Sequence, residues 1–247
     1  MSRHLSLRSG NPVLSKKTFN NSISRDNKMT IEGTVNKTAI SLFLLIGAGY
    51  LTFNTVNLVL LIGCGIGGFI LAIITFFKKE WSPITVPIYA VLEGLTLGGI
   101  SKMYAEAFEP GLVPQAISLT VGILCALLFA YKTKIIKATE NFKLGVFAAT
   151  AGIVVVYIIS LLMSLFGNSG LAVMDPTNAS MLSIGFSLFV VFIASLNLVM
   201  DFDFIEQGAE HGAPKYMEWY GAFGLLVTLI WLYLEILKLL AKLNSRK

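Results

Sequence analysis

ASMLSIGFSLFVVFIASLNLVMDFD, residues 179–203, decides what kind of protein this is. Residues 179–200 carry no charge at all, and then Asp201 and Asp203 arrive, with Glu206 and Glu210 close behind. A helix needs about 20 apolar residues to cross the hydrocarbon core of a bilayer. This stretch has that length, so it reads as a transmembrane segment that ends at an acidic boundary.

The rest of the chain agrees. Its 247 residues are 55% hydrophobic and only 13% charged, whereas soluble domains carry about 25% charged residues. Too little charge remains to cover a water-facing surface. The net charge of +5 is no nucleic-acid signal, because the Lys and Arg residues lie in the tails and in particular loops. Cys64 and Cys125 fall inside apolar runs, and His4 and His211 are far apart without companion cysteines. No disulfide framework, zinc site, fixed metal site or cofactor is expected from these spacings.

Apolar blocks mark spans at about residues 38–53, 56–77, 82–104, 112–131, 144–166, 179–201 and 217–240. They lack the alternation of barrel strands, so helices are the spanning form. The fold expected is an all-α integral membrane protein, a bundle of seven transmembrane helices occupying residues 29–247. Residues 1–28 are polar, with Arg3, Arg8, Lys16, Lys17 and Arg25, and read as a disordered cytoplasmic tail rather than a signal peptide. Basic residues also crowd Lys78–Lys79 and Lys132, Lys134, Lys137 and Lys143, while the alternate loops hold almost none. By the positive-inside rule the N-terminus is cytoplasmic, with the inner membrane as the site if the source is bacterial. Seven full crossings would leave Lys238, Lys242, Arg246 and Lys247 outside, against that rule. The last segment is therefore either a seventh span, which we favour, or a re-entrant one.

Two motifs invite over-reading. GCGIGG, residues 63–68, matches a dinucleotide-binding pattern letter for letter, but it lacks the preceding strand and lies inside an apolar span. There glycines let helix backbones approach closely, and the same holds for the stripe Ala90, Gly94 and Gly98. The aromatic group Tyr216, Trp219 and Tyr220 is expected to anchor the chain at the interface.

The acids inside the spans are the candidates for chemistry. Glu93 lies near the middle of the third span, where a charge costs roughly 2.5–3.5 kcal/mol even on lenient scales. It flanks the small-residue stripe and is expected to point into the bundle, lining a cation or proton path. Asp201 shares a helix face with Asn197, four residues earlier. Asp203 is about 200° around the helix from Asp201 and aligns with Glu206 and Glu210, as a solvated interfacial charge would. Asp201 is thus the inward-facing candidate, and Glu93, Glu218 and Glu235 are its possible partners. If the chain turns near Gly212, residues 222–225 return to the depth of Asp201. Glu218 is then about one turn too shallow, and Glu235 roughly 15–20 Å too deep. The central parts of the spans hold no Lys or Arg, so such acids are expected to take up a proton or a cation, two carboxylates sharing one proton when close together.

EGLTLGGIS at 93–101, DFDFIEQGAEHG at 201–212 and LYLEILKLL at 232–240, in this order on seven spans, resemble the Bax inhibitor family, the transmembrane Bax-inhibitor-motif proteins, most closely its bacterial branch. The first is similar to the family's GLTLGP stretch and the last to its LYLDFINLF. The resemblance implies a central last helix and a pH-sensitive calcium leak controlled by two aspartates that share a proton when closed. Asp201 matches the first aspartate, although Phe202 and Asp203 stand where the family commonly has Thr-Gln. For the second, the motif points to Glu235, whereas the family's spacing lands near Leu225 or Thr228.

The expected function is therefore a non-enzymatic leak for Ca²⁺ or other cations, set by protonation of Asp201 with Glu93 or Glu235. Its partners are the lipid bilayer, the cation and protons, with no nucleic acid. The alternative is a regulatory protein that binds a membrane partner, such as a quality-control protease. No spacing of an intramembrane protease is present.

Overall fold

The computed structural model describes residues 28–54, 57–167 and 170–246. The expected N-terminal tail, apart from Lys28, lies outside the described residues, as does part of the turn after the first span. Seven helices are long and apolar enough to cross a membrane. They are α1 (Ile31–Phe53), α2 (Leu58–Phe77), α3 (Ser82–Ala107), α4 (Leu112–Lys132), α5 (Glu140–Leu165), α6 (Met181–Glu210) and α7 (Met217–Asn244).

Local chemistry sets their ends. The first backbone N–H groups of a helix have no partner within it, and side-chain oxygens supply one. Thr30 caps α1, Asn57 caps α2, Thr139 caps α5 and Ser180 caps α6. Pro83 sits in the first turn of α3, where no backbone donor is lost. Several helices begin earlier or run longer than their apolar cores, because polar residues extend them past the lipid: α1 starts at Ile31 and α6 continues to Glu210. Gly212, at φ +66°, turns the chain between α6 and α7 in a conformation that L side chains rarely adopt.

α7 is the hub of the bundle. It packs on α1, α3, α4 and α6, while α2 lies outside α3 and α5 lies outside α6. The apolar core follows it from Phe223 through Leu226, Leu229, Leu232 and Ile236 to Ala241, against Val86, Ala90, Leu97, Ala116, Ala194 and Leu198 from the surrounding helices. The outer faces of α1, α2 and α5 carry exposed Phe43, Val59 and Phe147, as lipid-facing surfaces do. The re-entrant reading of the last segment is answered. α7 is continuous, and its C-terminal Asn244 donates to Glu109 in the α3–α4 loop (2.9 Å). That end lies opposite the face holding Lys78, Lys79 and the basic α4–α5 loop.

The small-residue stripes are packing seams. A methyl group added at Gly94 would meet the Leu45 carbonyl, and one at Gly98 would meet the Gly49 carbonyl, so α1 and α3 touch backbone to backbone. Gly65, Gly67 and Gly68 of the GCGIGG run abut Thr96, Leu92 and Glu93 on α3. Such close approach is what small residues allow between helices in lipid.

Glu218, a candidate partner for Asp201, does structural work elsewhere. It is fully buried beneath the start of α1, where its Oε1 accepts from Thr30 N (3.0 Å), the Thr30 hydroxyl (2.8 Å) and Lys215 (2.8 Å). A carboxylate there also complements the positive end of the α1 dipole. Met29 N donates to Ala213 O (2.7 Å) and Lys28 pairs with Pro214, so the entry to α1 is clipped to the α6–α7 loop.

Two stability predictions follow from these contacts. Gly94→Leu should lower stability in detergent by about 1–3 kcal/mol or more, as overpacking does, whereas Gly122→Ala, with open space around it, should leave the thermal midpoint in place. Glu218→Ala should cost about 1.5–3 kcal/mol, the usual worth of hydrogen bonds to a charged group, and should speed amide exchange at residues 29–33.

Candidate functional site

Along α7, Gly224, Thr228, Trp231, Glu235, Lys238 and Lys242 recur every three or four residues and therefore form one stripe. This stripe faces α6 and α5, and it carries the buried polar side chains Thr228, Glu235 and Lys242.

At the end toward the basic face is Asp201. It lies nine residues before the end of α6, roughly 14 Å from that end at helical rise. A methyl group added at Gly224 would stand 3.5 Å from its Oδ1. The Thr228 hydroxyl faces the same carboxyl, and Oδ2 is buried with no hydrogen-bond partner among the described residues. The turn at Gly212 thus returns α7 to the depth of Asp201 as the sequence leads one to expect. The residue it brings there is a threonine, at one of the two positions to which the family spacing points.

Asn197 parts company with Asp201. Its Nδ2 donates to the Thr150 hydroxyl of α5 (2.9 Å) and to Ile193 O (2.9 Å). The two residues are one turn apart, and the 40° offset this leaves is enough to aim one at α5 and the other at α7.

Farther along the stripe, Glu235 is buried at 3% exposure. Its Oε1 accepts from the Tyr157 hydroxyl of α5 (2.7 Å) and from Lys238 (2.8 Å), and Trp231 Nε1 donates to the same tyrosine (3.4 Å). Thr228 and Glu235 are seven residues apart, roughly 10 Å along the axis, so Glu235 does not reach Asp201. The expectation that inward acids lack basic partners is corrected here. Helical spacing of three residues puts Lys238 on Glu235, and the lysine's long stem carries its charge back to the carboxylate.

Lys242 ends the stripe. It is fully buried and donates to Val173 O, Ser183 O (3.3 Å) and the Ser187 hydroxyl (2.8 Å). The adjoining loop supplies a countercharge in Asp175, whose carboxylate is held below its usual range by hydrogen bonds from the Thr177 hydroxyl and backbone N–H. The charges at this end of α7, away from the more basic face of the bundle, are therefore largely taken up by the protein.

Glu93 stands apart from this track. Its carboxyl packs on Gly68 of α2, on the outer side of α3, so it is not joined to Asp201. The helix points it toward the glycine gap rather than toward α7. Asp203 also departs from the expected solvated charge. Its carboxylate is paired with Lys143 of α5 (2.9 Å), accepts from Gln207 (2.6 Å) and is 19% exposed. Glu206, on the same face, accepts from Tyr131 of α4. The polar face of α6 beyond the lipid is thus tied to its neighbours.

Among the described residues, no group of three or more His, Cys, Asp or Glu is placed to hold a metal ion. What the stripe offers is a file of single polar groups from one end of α7 toward the other. Thr150, Tyr157, Lys238 and Lys242 were not singled out by sequence reasoning as members of it. For Lys238 and Lys242 the one available signal was their helical spacing from Glu235; Thr150 and Tyr157 lie on α5, and spacing along one helix says nothing about which helices adjoin.

Comparison with curated proteins found no match. The family model described as Bax inhibitor 1 like matches residues 11–245. With nearly its whole length matched and seven membrane-length helices packed in one bundle, this chain belongs to the Bax inhibitor 1-like family.

Proposed function

We propose that this protein is a non-enzymatic leak for Ca²⁺ or related cations, with the α5–α6–α7 seam as its path and Asp201 as the acid that sets its conductance. The observation that carries the reading is Asp201 itself, a carboxyl inside the bundle with one oxygen unpartnered among the described residues, opening a stripe of polar residues on α7. In a water-poor interior such a group holds either a proton or a cation. Exchange between those two states makes the leak depend on pH. In this reading the face with Lys28, Lys78, Lys79 and Lys143 is cytoplasmic, as the positive-inside rule requires.

The family switch of two aspartates is altered here, because Thr228 stands against Asp201 and Glu235 is engaged by Lys238. A hydroxyl can share a hydrogen bond but cannot add a second negative charge, so one carboxyl titrates where the family has a coupled pair. Glu93, near α2, is a separate acid in this reading and does not substitute for the second aspartate.

A second reading, a regulator that binds a membrane partner, draws support from the clip that fastens Lys28 and Met29 to the α6–α7 loop. A partner pulling on the preceding residues would load the hairpin that carries Asp201 and Thr228. Deleting residues 1–27 should release such a partner and should barely affect a pore.

The leak reading is tested with the full chain reconstituted into vesicles holding a calcium dye. Wild-type protein should pass Ca²⁺ at some pH between 6 and 8, and Asp201→Asn should change the rate at least severalfold and flatten its pH dependence. No leak across that range, or an unaltered leak in the variant, would sink the proposal. Thr228→Asp should move the midpoint of the pH dependence upward, because a second carboxylate beside the first raises one pKa of the pair.

A further inference from the structure

The two lysines on the stripe of α7 are held very differently. Lys242 is bolted to two carbonyls and a hydroxyl and is fully buried. Lys238 has a carboxylate partner, Glu235, and its side chain keeps 19% of its surface exposed against 4% for that acid. It also passes over the Tyr157 ring, 5.5 Å from the centroid. Beside it lies a pocket of about 280 Å³, walled by Tyr157, Ser160, Ser164, Gly170, Met174 and Lys238. The pocket belongs to the end of the bundle opposite the basic face, between α5, the α5–α6 loop and α7.

We propose that the Glu235 carboxylate and the Tyr157 hydroxyl form a second cation site behind the Tyr157 and Lys238 wall of this pocket, and that Lys238 is a tethered cation that keeps it closed. The ammonium group occupies the position on Oε1 that a metal ion would take. A lysine is a compact point charge on a flexible stem, and the pocket gives this one somewhere to go. When it swings out, the acid is left buried without a counter-charge, and a hard divalent cation with oxygen ligands is the species that replaces it. Glu235 and the Tyr157 oxygen, 2.7 Å apart, present two such ligands, with the Ser160 hydroxyl in the wall above. Lys242 cannot replace Lys238, since its own donors are already engaged.

This inference rests on the proposed leak for its physiological role, but its chemistry is tested without transport. Terbium(III) substitutes for Ca²⁺ and luminesces when indole or phenol side chains lie beside it, as Trp231 and Tyr157 would. The full chain in detergent at pH 7.5 is titrated with terbium as wild type, Lys238→Met, Lys238→Gln and the double variant Lys238→Met with Glu235→Gln. Lys238→Met should give saturable sensitised emission, displaced by Ca²⁺, with at least tenfold higher affinity than wild type or the double variant. Lys238→Gln, which keeps a hydrogen-bond donor, serves the same comparison if the Met variant fails to fold. Folded single variants that bind no terbium overturn the proposal, as does wild-type binding as tight as theirs or emission that survives Glu235→Gln. A leak unaltered by Asp201→Asn would leave this result standing, so the two readings fail separately.

Discussion

Lipid offers no hydrogen bonds, and this one constraint organises the molecule. Every backbone donor and polar side chain within the hydrocarbon must be met by protein. Hydroxyls of Thr34, Ser41, Thr75, Ser101, Thr120 and Ser195 therefore turn back to carbonyls one helical turn earlier. Several groups too long or too charged for that solution gather along α7, the helix with the most buried residues. A polar track through the bundle is the consequence of having one central helix and no water.

The acids show how the constraint is met case by case. Glu218 is matched by Lys215 and the start of α1, Asp203 by Lys143, and Glu235 by Lys238 and Tyr157. These pairings hold helices together, because removing one partner would strand the other in a low-dielectric interior. Asp201 has Thr228 opposite and an oxygen to spare. Glu218 Oε2 is unpartnered too, but among the described residues Asp201 is the member of this set without a lysine beside it, and the proposed function begins there for that reason.

The C-terminal end of α7 illustrates how lysines can be accommodated at the end of the bundle away from its more basic face. Lysines past the sixth span argue against a seventh crossing when counted as free charges. Here Lys238 is neutralised by its neighbour, Lys242 is solvated by carbonyls and a serine, and Arg246 donates to Met181 Sδ (3.0 Å). A charge already solvated by its own protein gives the positive-inside rule less to act on, and the helix continues across.

The class of protein, seven helices and the two close-packed glycine seams were legible in the sequence, because length, apolar runs and small-residue spacing are properties of one helix at a time. So was the opposite facing of Asp201 and Asp203, since a separation of two residues puts side chains on nearly opposite faces whatever surrounds them, although the pairing of Asp203 with Lys143 was not. The depth match between Asp201 and residues 222–225 also followed from counting residues through the turn at Gly212, and Gly224 lies there. Which acids meet, and which are claimed by lysines, depended on the rotation and neighbours of each helix. Glu93 went to α2, Glu218 to the entry of α1 and Asn197 to α5, outcomes that only the packing of helices against one another decides.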